Sequence, residues 1–137
     1  MAERIGVVLF SGTADRLLAA AELVSGAAAA GERADVLLMQ WGLRAFRRDG
    51  VCTPPPIDPA YNGDCAALQR RLADPDAPSW VEVLREAKEI GEVWVHACAG
   101  DLAADGLELD DLDPMVDDVM GSASFLDRTT AARLIFV

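Results

Sequence analysis

Short apolar runs alternate along this chain with longer segments of helix-forming residues. Residues 5–10, 34–39 and 92–98 form three largely apolar runs, which are typical of strands that a parallel sheet buries on both faces. Residues 116–119 and 134–137 are shorter runs of the same character. The pattern therefore predicts five strands.

The segments between these runs predict helices. Residues 14–30 are mostly strong helix formers and end at Gly31, and Ser79 and Glu82 have the spacing of a capping box that begins a helix ending before Gly91. Shorter helices are expected to begin near residues 41, 65, 99 and 123, and the last of them is expected to run to residue 132. The alternation predicts a three-layer α/β/α fold with an open, mostly parallel five-stranded sheet, in a single domain spanning residues 1–137.

The composition narrows the class of partner. Hydrophobic residues make up 52% of the 137 residues, which supports a packed core, while the formal net charge of -11 gives a surface that repels phosphate backbones and anionic lipids. Nucleic acid is therefore not expected as a partner. No apolar stretch approaches the roughly 20 residues of a membrane span, so none is predicted.

The cysteines indicate the compartment. The chain has three, Cys52, Cys65 and Cys98, and its first residues lack the apolar run of a secretory signal, so we expect reduced thiols in the cytoplasm. The cysteines have no CxxC spacing and His96 is the only histidine, which argues against a structural metal. We expect neither a metal nor a cofactor.

Ligands of open parallel sheets bind beyond the carboxyl ends of the strands. Four predicted strand ends carry glycines that let backbone approach a ligand closely. The expected pocket-lining residues at these ends are Ser11, Gly12, Thr13, Trp41, Gly42, Gly100 and Gly121.

Cys98 is the main candidate for chemistry. A thiol at a strand end, before a turn and a helix start, can face a cleft, and nearby backbone N–H groups favour the thiolate that attacks sulfane sulfur. Strand alternation places His96 on the same face, where it would support the thiolate. The alternatives are a packed Cys98 that acts as a small hydrophobe and a hydrogen-bonded core His96.

A Pro-rich segment adds a further candidate feature. Residues 49–64 contain four prolines and two glycines, and irregular loops of this length are usually functional or mobile. Cys52 lies in this loop and Cys65 directly follows it, so either is a possible resolving partner for Cys98. Cysteines without a role fit these positions equally well.

Two motifs resemble the DsrE/DsrF-like family, in particular its peroxiredoxin-annotated DsrE branch. Gln40-Trp41-Gly42-Leu43 is similar to a segment that follows the second strand in that branch, and Ala97-Cys98 is similar to a pair that ends a middle strand. The resemblance implies a three-layer α/β fold, homo-oligomeric assembly and sulfur transfer through a persulfide on Cys98. A sulfur donor or acceptor protein would then be a partner.

Three functions remain open on the sequence. The first is a sulfur-relay, sulfurtransferase-like protein in which Cys98 carries sulfane sulfur, His96 tunes the thiol and residues 49–64 gate access. The second is a non-catalytic domain on the same fold that binds a small ligand or assembles into an oligomer. The third is a thiol redox protein that pairs Cys98 with Cys52 or Cys65.

Overall fold

The computed structural model describes residues 3–61 and 63–137, and within them five strands alternate with six α-helices. The strands are β1 (Arg4–Leu9), β2 (Arg33–Leu38), β3 (Val93–Cys98), β4 (Asp118–Met120) and β5 (Arg133–Phe136). The helices are α1 (Ala14–Ala29), α2 (Gln40–Ala45), α3 (Ala66–Ala73), α4 (Trp80–Ile90), α5 (Ala99–Ala104) and α6 (Ser122–Arg128).

The five strands form one sheet in the order β4-β3-β2-β1-β5, and every neighbouring pair is parallel. The predicted three-layer α/β/α architecture with a parallel five-stranded sheet is therefore confirmed. The central strands β1, β2 and β3 are buried at nearly every position, which is why each appears in the sequence as an apolar run.

The two faces of the sheet are covered unequally. On one face Val7, Val36 and Val95 pack into a large core beneath α1 and α4, which lie side by side. On the other face Val8 and Leu37 form a small cluster with Phe125, which comes from the seven-residue helix α6. The second layer is thus thin, and it leaves part of the sheet near solvent.

Helix α4 begins as the sequence predicts. The Ser79 hydroxyl accepts a hydrogen bond from the Glu82 backbone N–H at 3.2 Å, and the Glu82 carboxylate accepts one from the Ser79 N–H at 2.8 Å. This reciprocal capping box satisfies two N–H groups that the helix leaves unpaired. The helix ends at Ile90, before Gly91, as predicted.

The last helix is shorter than predicted. It ends at Arg128, whereas its composition indicates helix to residue 132. The Thr129 hydroxyl donates to the Phe125 carbonyl and the Thr130 hydroxyl donates to the Asp127 carbonyl. Such bonds from β-branched residues compete with the backbone ladder, and the chain turns into β5 instead.

Two other segments, the Pro-rich loop 49–64 and the acidic run 108–113, contain short ordered elements. Within residues 49–64 the chain forms 3-10 turns at Gly50–Cys52 and Pro59–Tyr61, and Asn62 lies outside the described residues. The acidic run 108–113 is not uniformly solvated, because Leu112 and Asp113 are buried and Asp113 accepts from the Arg85 guanidinium at 2.7 Å.

Large apolar side chains remain exposed on the face that carries α6. The register pairs Leu134 with Gly6 and Phe136 with Val8, so both side chains point to that face. Leu126 belongs to α6, the helix that covers the same face. Phe136 is 67% exposed and Leu126 is 54% exposed. Across the described residues, none of the helices is both long and apolar enough to pass through a membrane.

Candidate functional site

A cavity of about 620 Å³ opens at the carboxyl ends of β1 and β2. It lies between the turn into α1, helix α2, the Pro-rich loop and the start of α4. The residues that line it are Phe10, Ser11, Gly12, Thr13, Arg16, Gln40, Trp41, Arg44, Ala45, Gly50, Thr53, Pro54, Pro55, Pro56 and Trp80. The cavity thus includes four of the seven residues that the sequence predicts for a pocket: Ser11, Gly12, Thr13 and Trp41.

The floor of the cavity carries a pair of hydroxyl groups. Ser11 Oγ lies 3.1 Å from Thr13 Oγ1, and the Thr13 N–H donates to Ser11 Oγ at 3.3 Å. Thr13 occupies the N-cap position of α1, but its side chain does not cap that helix. The hydroxyls therefore hold each other at the cavity surface, where they can also bond to a ligand.

Two glycines bring the strand-end loops together. A Cβ atom on Gly12 would lie 2.8 Å from the Trp41 carbonyl oxygen, and one on Gly42 would lie 2.2 Å from the Leu9 carbonyl oxygen. The Gly42 N–H donates to the Phe10 carbonyl. Gly42 does not line the cavity. It permits the backbone of α2 to approach β1, and this approach places Trp41 at the cavity rim.

The Pro-rich loop is fastened to the beginning of α1. The Ala14 N–H donates to the Pro56 carbonyl at 2.7 Å, the Asp58 N–H donates to the Asp15 carboxylate at 3.3 Å, and Arg16 forms an ion pair with Asp58 at 3.3 Å. Pro54, Pro55 and Pro56 are thereby held as one wall of the cavity. The Pro-rich loop is therefore an ordered part of the site.

Helix α5 holds the opposite wall in place. Gln40 has a positive φ of 49°, and its N–H donates to the Asp101 carboxylate at 3.2 Å. Arg44 donates to both oxygens of Asp105, at 2.9 and 3.1 Å, and this hydrogen bond keeps the pKa of Asp105 below its usual value. These contacts tie α2, and with it Trp41, to α5.

Cys98 lies at the carboxyl end of β3, as predicted, but it does not line this cavity. The residue is 6% exposed and packs in the small cluster with Val8, Leu37 and Phe125. Met39 and Met120 lie partly buried against that cluster. The outgoing chains diverge here, because α5 contributes Leu102 to the large core while α6 covers the other face.

His96 is fully buried on the face that also carries Cys98, as strand alternation predicts. Its Nε2 atom lies 2.8 Å from an Asp35 oxygen and its Nδ1 atom lies 2.6 Å from an Asp118 oxygen. Carboxylates only accept hydrogen bonds, so both ring nitrogens carry protons and the ring is an imidazolium. Both ring protons are engaged, and neither is left for the Cys98 thiol.

Asp35 is the centre of this buried network. Besides His96, its carboxylate accepts from Arg128 Nε at 2.6 Å and from Arg33 Nε at 3.0 Å. The Arg128 guanidinium also lies 5.6 Å from the centre of the Trp94 ring. The network therefore fixes helix α6 to the sheet through charged groups rather than through apolar packing alone.

The network shifts two pKa values in opposite directions. Burial alone would raise the pKa of Asp35, but hydrogen bonds from His96, Arg128 and Arg33 outweigh it and lower that pKa to about 2. Burial alone would lower the pKa of His96, but hydrogen bonds to Asp35 and Asp118 outweigh it and raise that pKa above 6.5. The hydrogen bonds of the network therefore stabilise the charged form of each group.

The two hydrogen bonds of the His96 ring also argue against metal binding by this residue. Each ring nitrogen of His96 holds a proton that points at a carboxylate, so neither offers a lone pair to a metal ion. Within residues 3–61 and 63–137, no group of three or more His, Cys, Asp or Glu side chains is arranged to hold a metal.

The remaining predicted residues lie apart from the cavity. Cys52 is exposed and lines a second cavity of about 310 Å³ on the other side of the Pro-rich loop, and Cys65 is buried at the start of α3. Gly100 lies exposed in α5. Gly121 precedes α6, and no atom beyond its chain neighbours lies within 4 Å of the position that a Cβ on it would take. Neither glycine is among the lining residues of the 620 Å³ cavity.

Sequence reasoning missed the partners of His96. Asp35, Asp118 and Arg128 are not among the predicted site residues, although Asp35 gave a signal: it is the only charged residue in the apolar run 34–39. A charged residue inside a buried strand is rare unless it is paired. The wall residues Pro54–Pro56 and Trp80 were also missed, because their proximity depends on the path of a loop.

Comparisons with known proteins describe the fold and leave the function unassigned. Neither a protein-family model nor a curated protein matches this chain. Among solved structures, the chain is similar to the protein of unknown function MTH1491 from Methanobacterium thermoautotrophicum, with a TM-score of 0.62 and 21% sequence identity over 98% of this chain and 99% of that chain. At that identity, the similarity is one of fold alone.

Proposed function

We propose that this protein binds a small molecule in the cavity at the carboxyl ends of β1 and β2. The observation that supports the proposal is the cavity itself, whose volume of about 620 Å³ is in the range of small-ligand sites. It lies where ligands of open parallel sheets bind, and the aromatic ring of Trp41 is 61% exposed at its rim.

Saturation-transfer NMR with a fragment library tests this proposal. We expect fragments to bind the wild-type protein and to lose binding in Trp41→Ala, which removes one wall but no core contact. Trp94→Ala is the matched control, because Trp94 is a second partly exposed tryptophan that does not line the cavity. Fragments that bind all three proteins equally, or none that bind at all, would refute the proposal.

A second candidate is the sulfur relay, in which Cys98 takes sulfane sulfur from a persulfide donor to become a persulfide and releases the donor as a thiol. The position of Cys98 favours it, since the chain leaves β3 and β4 towards opposite faces, and ligand crevices form at such divergence points. The DsrE/DsrF-like resemblance supports the same proposal. The burial of Cys98 requires that the cluster around it open before a donor reaches the sulfur.

Mass spectrometry tests the relay. Incubation with a low-molecular-weight persulfide should add one sulfur atom to the wild-type protein and to Cys52→Ser, but not to Cys98→Ser. If Cys98 gains no sulfur while the protein stays folded, the relay proposal fails. A reversible disulfide between Cys98 and Cys52 or Cys65 in the same samples would instead indicate the thiol redox function. Either thiol chemistry fits a reducing cytoplasm.

We also propose that the protein forms a homo-oligomer through the face that carries α6. Leu126, Leu134 and Phe136 are all exposed there, and a second copy of the same apolar surface would cover them. Light scattering after gel filtration should give a mass above that of one chain, and Phe136→Glu should reduce it. Tyr61→Glu, which changes an aromatic residue of similar exposure in the Pro-rich loop, should not.

A further inference from the structure

The lining of the 620 Å³ cavity indicates what kind of molecule it takes. We propose that the occupant is an uncharged ring compound, an inference that rests on the proposed binding function. Three properties of the lining favour such an occupant: its apolar walls, its neutral polar groups, and the pairing of its charged groups.

The walls are flat and apolar. Trp41 and Trp80 supply indole rings, Phe10 supplies a benzene ring, and Pro54–Pro56 form a continuous wall of pyrrolidine rings. Trp80 is almost buried and is fixed against Phe46, with ring centroids 5.1 Å apart, so that part of the wall is rigid. Flat, rigid surfaces of this kind gain most from stacking against another ring system.

Apart from the two arginines, the polar side chains of the lining are neutral, and they belong to Ser11, Thr13, Gln40 and Thr53. Ser11 Oγ and Thr13 Oγ1 are the side-chain hydroxyls nearest to each other in the lining, 3.1 Å apart. Because each hydroxyl has one proton and two lone pairs, the pair can serve one neutral polar group of a ligand as donor or acceptor. This pair would orient the ring compound without requiring that it carry a charge.

The charged groups of the lining disfavour an ionic ligand. Arg16 and Arg44 are the cationic lining residues, and each is already paired, with Asp58 and Asp105 respectively. An anion would compete with these carboxylates for the guanidinium groups, in a protein whose net charge is -11. A cation would lie near these two guanidinium groups, and the described lining supplies no carboxylate to pair with it. A neutral molecule avoids both penalties.

Two fluorescent probes that share one ring skeleton test this inference. N-phenyl-1-naphthylamine is neutral, and 8-anilinonaphthalene-1-sulfonate is the same molecule with a sulfonate group added. We expect the neutral probe to bind the native protein at least tenfold more tightly than the sulfonate, and to lose at least tenfold of its affinity in Trp41→Ala. Trp94→Ala should bind it like the wild type, since Trp94 lies on the α6 face with the exposed apolar residues.

The outcomes separate the two proposals. If the sulfonate binds as tightly as the neutral probe or more tightly, and both depend on Trp41, the inference about charge is wrong while binding in the cavity stands. If neither probe binds, or if the neutral probe binds equally to Trp41→Ala, the cavity does not take a neutral ring compound and this inference fails, while the fragment screen still decides whether the cavity binds a small molecule. Circular dichroism of each variant confirms that it is folded.

Discussion

The Nε2 atom of His96 lies 2.8 Å from Oδ1 of Asp35, and both side chains are buried beneath α6. Asp35 also accepts from two arginines, and His96 also donates to Asp118, so this contact is the middle of a chain of charges that crosses the sheet from β2 to β4. Buried charges are tolerated when every one of them is paired, as here. The network is therefore a structural element with measurable properties.

The ionisation of His96 is the first such property. Because each ring nitrogen lies within hydrogen-bond distance of a carboxylate, which also raises the pKa of the ring, we expect an imidazolium with two ring protons at pH 7. ¹⁵N NMR identifies it without ambiguity, since the chain has one histidine. A raised folded-state pKa gives stability that is full below the unfolded value near 6.5 and lost as pH rises through the folded value. Urea unfolding from pH 6 to 9 should show that loss. A neutral ring at pH 7 would contradict the assignment.

Removing the charge of Asp35 should be strongly destabilising. Asp35→Asn leaves the buried imidazolium of His96 with Asp118 as its one carboxylate partner. It also removes the carboxylate that accepts from the partly buried Arg128, so we expect the free energy of unfolding to fall by about 3 kcal/mol. Asp127→Asn changes an exposed carboxylate on α6 and should have little effect. The lowered pKa of Asp35 adds stability that is present above its unfolded value of 3.8 and is lost as pH falls towards 2. Equal stabilities of the two variants would rule out this role.

Substitution by alanine should change the free energy of unfolding in opposite directions at Gly42 and at Gly26. Gly42→Ala would place a methyl group 2.2 Å from the Leu9 carbonyl oxygen, and such overpacking should lower the unfolding free energy by about 2 kcal/mol. Gly26 lies inside α1 with nothing within 4 Å of a Cβ, so Gly26→Ala should raise it by about 1 kcal/mol. Thermal unfolding measures both. A stable Gly42→Ala would mean that α2 can move away from β1.

The backbone at Gln40 gives a fourth prediction. Its φ of 49° lies in the left-handed region, which glycine adopts without strain and β-branched residues avoid. We expect Gln40→Gly to raise the unfolding free energy by roughly 0.5 kcal/mol and Gln40→Val to lower it by about 1 kcal/mol. Chemical denaturation of the pair measures the difference. If valine proves as stable as glycine, the positive φ is not a constraint in solution.

The sequence predicts the layers of this fold well because its periodicity reports burial directly. Residues 5–9 and 34–38 are mostly apolar on both sides of the strand, and the structure buries them on both faces. The capping box at Ser79 and Glu82 is equally local, so its prediction depends on nothing beyond a few residues. Segments whose end depends on a competing hydroxyl, such as α6 at Thr129, are predicted less accurately.

The site was predicted only in part, for a physical reason. Strand-end residues such as Ser11 and Trp41 follow from the rule for parallel sheets, and they do meet at one cavity. The opposite wall comes from Pro54–Pro56, whose position is set by hydrogen bonds to α1 that no pattern in the sequence reveals. The partners of His96 lie on β2, β4 and α6, and only the three-dimensional register brings them to it.

Because α6 forms a thin layer over the sheet, the reactivity of the Cys98 thiol measures how often this layer opens locally. Cys98 is 6% exposed and lies in one cluster with Phe125 of α6, so we expect a thiol reagent to reach it mainly during excursions in which α6 lifts from the sheet. When such excursions reclose faster than the reagent reacts, the modification rate gives the equilibrium constant of the excursion. The energetics of that single helix are thereby accessible without unfolding the rest of the protein.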